Sequence, residues 1–156
     1  MKAEFTIPGP PRGKGRPRFR AFLDPRDPKQ KKILTQTYSD KETVAYEELV
    51  KAKFREQCKG IRFEAGVMLE IQIDAYYKIP KSETKGNKTA MEVGYLRPTK
   101  VPDCDNVLKG IADALNKLAY KDDAQLVTCS VRKYYSHEPR VEVTILPVKN
   151  ELKGGL

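Results

Sequence analysis

Two groups of carboxylates could do chemistry in this chain: Asp103 and Asp105, flanking Cys104 and followed by Asn106, and the adjacent pair Asp122-Asp123. A hard cation such as Mg²⁺ takes carboxylate oxygens, usually from one or two Asp or Glu side chains, and fills its remaining positions with water and substrate phosphate. Asp103 and Asp105 can supply such oxygens, and Asp122-Asp123, just past the end of the same predicted helix, can supply more, so one cation would bridge both segments. A metal held there polarises a phosphodiester and activates water, and a second ion would stabilise the leaving oxygen. Lys109 can neutralise charge on the pentavalent phosphate. The same residues have structural readings: an Asp at a helix start is a cap, and Asp-Asp ahead of a strand is a turn. Asp113 can pair with Lys109 or Lys117 at helical spacing. Cys104 reads as a small hydrophobe that packs inward.

The elements around these residues follow from periodicity. Pro102 makes the preceding residue extended, Asp103 follows at the helix start, and Asp105 is a natural N-cap. A helix over 105–118 then buries Leu108, Ile111, Ala112, Leu115 and Leu118, with Asp105, Lys109, Asp113 and Asn116 along the edge of that stripe. In 67–77 apolar and polar residues alternate, which predicts a strand with Glu70, Gln72 and Asp74 on its second face, Asp74 within reach of the site. Glu4 to Ile7 reads as a short strand closed by prolines, and Ser39-Asp40-Lys41-Glu42 as a capping box opening a helix over 40–58. Strands over 125–135 and 140–146, joined by the turn 136–139, are expected to form a hairpin. The tail 149–156 should fray. The expected fold is one small α/β (α+β) domain over 1–148, a mixed sheet of about four strands with two main helices packed on it.

Composition narrows the partners. With 156 residues, 39% hydrophobic and 33% charged, the chain has apolar material for one core. No apolar run is long enough for a membrane span, and Met1 to Phe5 lack a signal-peptide block, which points to the cytoplasm. Cys58, Cys104 and Cys129 have no metal or disulfide spacing, and His137 sits in a turn, so histidine-based chemistry is not expected. The net charge is +9, of which residues 12–32 contribute +7 and residues 78–102 contribute +4. Two cationic segments on a near-neutral scaffold fit a polyanion, nucleic acid above all. In the first, Arg12, Lys14, Arg16, Arg18 and Arg20 alternate with Gly and Pro, so the backbone can approach a phosphate chain while guanidinium forks bind it; Phe19 and Phe22 can stack on bases. It holds no P-loop. The second, with Lys81, Lys85, Lys88, Arg97 and Lys100, lacks a sustained period and reads as a long mobile flap over DNA.

The run Pro102-Asp103-Cys104-Asp105-Asn106-Val107-Leu108-Lys109, then Asp113-Ala114-Leu115, then Asp122-Asp123-Ala124-Gln125-Leu126-Val127, resembles the RusA family of Holliday-junction resolvases, whose pattern is D-x-D-N-L-x-K, D-A-L and D-D-x-Q-V. The motif match covers 102–127; outside it only the layout is similar. Val107 and Leu126 replace the family's usual Leu and Val. The resemblance implies a homodimer that binds four-way DNA junctions and nicks two opposed strands. It implies Mg²⁺, or Mn²⁺, held by Asp103, Asp105 and Asp123 with Asp122 in support, Lys109 as the essential lysine, and a phage or prophage setting. Two other readings compete. Pro102-Asp103 could open a PD-(D/E)xK site, but the only later E-x-K is Glu151-Leu152-Lys153, far down the tail. A non-catalytic, structure-selective DNA-binding protein would use the basic loops alone and leave the carboxylates structural.

Overall fold

The computed structural model describes residues 1–26, 29 and 32–149. Its elements are β1 (Ala3–Pro8), β2 (Arg18–Leu23), β3 (Ile33–Tyr38), α1 (Lys41–Gln57), β4 (Leu69–Lys78), α2 (Lys85–Glu92), α3 (Cys104–Leu115), β5 (Leu126–Ser136) and β6 (Arg140–Pro147). All of the expected tail except residue 149 lies outside the described residues. No helix among the described residues is long and apolar enough to cross a membrane.

The alternation in β4 is strict: Leu69, Ile71, Ile73, Ala75 and Tyr77 are buried, and the residues between them are not. Such a strand is covered on one face and can be paired along both edges. It is central in a mixed four-stranded sheet of order β1-β6-β4-β5, antiparallel to β6 and parallel to β5. This corrects the expected hairpin, because β5 and β6 do not pair with each other. The turn between them steps across the end of β4, where the Ile79 amide donates to the Ser136 carbonyl at 3.2 Å. Parallel pairing of β4 with β5 requires a crossover, and that crossover carries α2 and α3.

Helices α1 and α3 cover one face of the sheet. From α1, Tyr46, Val50 and Phe54 face inward, Phe54 meeting Phe5 edge to face at 5.5 Å. From α3, Val107, Ile111, Ala114 and Leu115 are buried. Each fully buried aliphatic side chain contributes roughly 1.5–3 kcal/mol, so α3 is fixed as a rigid platform. On the opposite face Asp74 accepts two bonds from Arg132, at 2.6 and 2.8 Å, and so is turned away from α3 rather than toward the site.

Both basic segments contain structure that periodicity did not show. Residues 12–32 include β2, paired with β3 in a separate two-stranded ribbon whose residues are mostly exposed. Residues 78–102 include α2, capped by Thr84 and burying only Met91. With few buried residues, neither carries the alternation or the stripe that marks an element.

Candidate active site

Helix α3 starts one residue earlier than expected, and its N-cap is Asp103, whose Oδ1 accepts the Asn106 amide at 2.9 Å. Asp105 is therefore not the cap. It lies exposed in the first turn, where the positive end of the helix dipole favours a carboxylate. The chain entering the helix is pinned from below: the Tyr77 hydroxyl of β4 donates to the Pro102 carbonyl at 2.6 Å. Burial pushes the Tyr77 phenol up to about 12, which keeps it a donor. The inward register of 67–77 already marked Tyr77 as core; only its hydroxyl partner was hidden.

Four charged side chains meet in one cleft: Asp105, Lys109 and Asp113 along one side of α3, and Asp123 across from them. Leu108, Ala112, Leu126 and Cys129 complete the lining of a cavity of about 280 Å³. Asp123 opens a 3-10 turn, Asp123–Gln125, that leads into β5. Asp122 caps this turn, its Oδ1 accepting the Ala124 amide at 2.9 Å. The side chain of Gln125 fastens the turn to the rest of the fold. Its Oε1 accepts the Lys121 amide at 3.1 Å, and its Nε2 donates to the carbonyls of Glu64 at 2.8 Å and Val67 at 3.1 Å. Burial, contact with Asp122 and repulsion from Asp122 and Asp113 raise the Asp123 carboxyl above the usual carboxylate range.

The sequence-predicted residues thus divide. Asp105, Lys109 and Asp123 are brought together; Asp103 and Asp122 are adjacent caps that do not line the cleft. Asp113, expected to pair with a lysine on its own helix, lines the cleft and pairs instead with Lys14. Cys104 is exposed rather than packed inward. His137 is exposed, 2.6 Å from Glu92. Among the described residues no group of three or more His, Cys, Asp or Glu is placed to hold a metal ion by itself. The carboxylate oxygens of Asp105 and Asp123 on one cleft fit a hard divalent cation, and two such donors leave room for the water and phosphate that Mg²⁺ keeps.

The two cationic segments are held in different ways. Of the first, Arg16, Arg18 and Arg20 are exposed, and Arg12 reaches Glu42 at 3.5 Å. In the ribbon Arg18, Arg20 and Phe22 share a face with Tyr38 and Gln36, while Phe19 and Leu23 share the other with Ile33. In the second, Lys81, Lys85, Arg97 and Lys100 are exposed, and Lys88 donates to the Lys81 carbonyl at 3.1 Å. This segment is docked on β5 rather than hanging as a free flap. Arg97 stacks on Tyr134 at 4.4 Å and donates to the Lys133 carbonyl at 2.8 Å, and Lys133 donates to the Lys100 carbonyl at 2.6 Å.

A carboxylate cleft holding a lysine, on a sheet-and-helix frame that also carries two cationic segments, is the layout of an enzyme that cuts nucleic-acid phosphodiesters. The chain belongs to the RusA endodeoxyribonuclease family, whose model matches residues 8–146. It is 39% identical over 150 residues to Uncharacterized protein YqaN of Bacillus subtilis (strain 168), a match covering 93% of this chain and 96% of that one. It is also 29% identical over 87 residues to crossover junction endodeoxyribonuclease rusA of Lactococcus phage r1t, covering 55% of this chain and 60% of the phage protein.

Proposed function

We propose that this protein is a Mg²⁺-dependent endodeoxyribonuclease that resolves four-way DNA junctions by paired nicks, acting as a homodimer in the cytoplasm on phage or prophage DNA. The observation that carries the proposal is the convergence of Asp105, Lys109 and Asp123 in one cleft, with Asp123 raised by burial and like charge. Asp105 and Asp123 would hold the ion, Asp103 would join them from the helix start, and Asp122 would support Asp123 by fixing its turn. Bound there, Mg²⁺ or Mn²⁺ supplies Lewis acidity toward the phosphate and acidifies the attacking water. Lys109, exposed at the cleft, is placed to stabilise charge on the phosphoryl oxygens as the bond breaks. Arg12, Arg16, Arg18, Arg20, Lys81, Lys85, Lys88, Arg97 and Lys100 would bind the DNA backbone on either side.

A labelled four-way junction incubated with Mg²⁺ or with chelator tests the reading. Symmetrical nicks that require the metal are expected. Asp105→Asn and Asp123→Asn should lower cleavage at least about 100-fold, as loss of a group acting in the transition state does, while junction binding persists. Binding with no metal-dependent nicks from the wild-type protein would sink the nuclease reading in favour of a structure-selective DNA-binding protein, which the use of Asp103 as a helix cap also allows. Light scattering should give the mass of a dimer.

A further inference from the structure

We propose that Lys14 is a positioning residue of this active site: it holds Asp113 out of the metal-binding set and ties the arginine-rich segment to α3. The proposal rests on the nuclease reading above. By composition Lys14 belongs with the arginines around it as a phosphate contact. Its surroundings are different. The Lys14 amide donates to the Asn106 carbonyl of α3 at 3.3 Å, and the Gly15 amide donates to Thr43 Oγ1 at the start of α1 at 3.1 Å. The flanking glycines sit so close to these helices that a side chain at either would push neighbouring side chains aside. A Cβ on Gly13 would stand 2.4 Å from Asn106 Nδ2, and one on Gly15 would stand 2.3 Å from Thr43 Oγ1 and 2.4 Å from Asp40 Oδ2. Residues 13–15 are therefore wedged between the first turns of two helices.

This wedge brings the Lys14 ammonium to Asp113, at the border of the cleft. It forms an ion pair with Asp113 and lies 3.9 Å from Glu47, with the three side chains only 26%, 25% and 24% exposed. An ammonium already shared by two half-buried carboxylates is engaged before DNA arrives. Asp113 lines the same cleft as Asp105 and Asp123. Without a cation of its own it would be a third free carboxylate there, able to draw the metal away from the productive pair and to repel the incoming phosphate. Lys14 removes that competition, and because β2 begins at Arg18 it does so from the base of the DNA-facing ribbon.

Lys14→Met, Lys14→Arg, Asp113→Asn and the Met/Asn double variant separate this role from phosphate binding. Three quantities are measured: turnover at saturating labelled junction, junction affinity against salt, and affinity for Mg²⁺ alone by titration calorimetry. Lys14→Met should bind Mg²⁺ at least about threefold more tightly, since a neighbouring positive charge is gone, yet turn over at least about tenfold more slowly. Adding Asp113→Asn should return Mg²⁺ affinity toward the wild-type value and cost no further turnover, the non-additivity of residues acting through one another. Lys14→Arg should stay near wild type in Mg²⁺ affinity. The proposal is overturned if Lys14→Met leaves Mg²⁺ affinity and saturated turnover unchanged and instead weakens junction binding with a salt slope lower by about one, the mark of a lost phosphate contact. Additive effects in the double variant would overturn it too. Should wild-type protein show no cleavage, the nuclease reading fails by itself, and the calorimetric comparison still decides whether Lys14 acts through Asp113.

Discussion

Gly110 lies in the middle of α3, where the backbone of residues 12–14 crosses the helix. A Cβ there would stand 3.5 Å from the Lys14 nitrogen, 3.9 Å from the Arg12 oxygen and 3.9 Å from the Gly13 carbonyl carbon, which is ordinary contact. Glycine inside a helix costs roughly 1 kcal/mol relative to alanine, so Gly110→Ala should stabilise the protein by about 0.5–1 kcal/mol. Leucine forms helix nearly as well as alanine, but its branch begins about 1.5 Å beyond Cβ, among backbone atoms that would have to leave. Overpacking of this kind costs about 1–3 kcal/mol, and losing the bond from the Lys14 amide to Asn106 adds about 1 kcal/mol. Helix propensity alone predicts that both substitutions stabilise; the crossing predicts opposite signs, separated by about 2–4 kcal/mol. Urea unfolding at constant m-value measures the gap, and each kcal/mol should also move Tm by roughly 2–4 °C in a chain of this size. If leucine stabilises as alanine does, residues 12–14 do not lie on α3, and the placement of Lys14 fails with them.

The raised Asp123 carboxyl gives a pH signature in chelator-treated protein. A group whose pKa is raised by folding favours the native state while protonated, and that contribution is lost as pH rises through the raised value. Asp123→Asn should therefore be more stable than wild type at pH 7, by a few tenths to about 1 kcal/mol after solvent screening, with the gain fading toward pH ~4; a neutral variant no more stable at pH 7 would refute the account by burial and like charge. Gln125→Leu removes the side-chain donor to the Glu64 and Val67 carbonyls, leaving Glu64 only the Val67 amide at 3.4 Å. It should cost about 2–3 kcal/mol in urea unfolding and reduce cleavage more than junction binding; unchanged cleavage would mean that the turn holds Asp123 without it. Arg97→Ala loses the stack on Tyr134 and the bond to Lys133. Amide exchange across α2 should speed up by about tenfold, corresponding to about 1–2 kcal/mol of lost docking; unaltered protection would show that other contacts hold the segment.

Where a pattern is set by burial, the fold could be read from the chain. The alternation of 67–77 and the apolar stripe of α3 identify their elements because each meets the core along its whole length. The hairpin expected at 136–139 went wrong for a physical reason: a short turn favours neighbours, but β4 is the strand with a continuous apolar face and it pairs with both β5 and β6. The helix between 77 and 125 was the available sign that β4 and β5 run parallel. The ribbon and α2 gave no such sign, since their residues hardly touch the core. In the site, the carboxylates of α3 and Asp123 were visible because they are close in sequence and of one chemical kind. Lys14 and Asp113 are separated by 99 positions, and no local spacing connects them.

The wedge at residues 13–15 has a mechanical consequence. The ribbon is anchored at both roots, by Gly15 on Thr43 and by Asp40, which caps α1 through the Thr43 amide at 2.8 Å. Only Arg16 and Pro17 separate the first anchor from β2, and only Ser39 separates β3 from the second. Its six-residue strands extend about 20 Å, so the arm behaves as a short lever hinged at the start of α1. DNA held by Arg18 and Arg20, as proposed above, would therefore pull through this hinge on the same turn of backbone that carries Lys14.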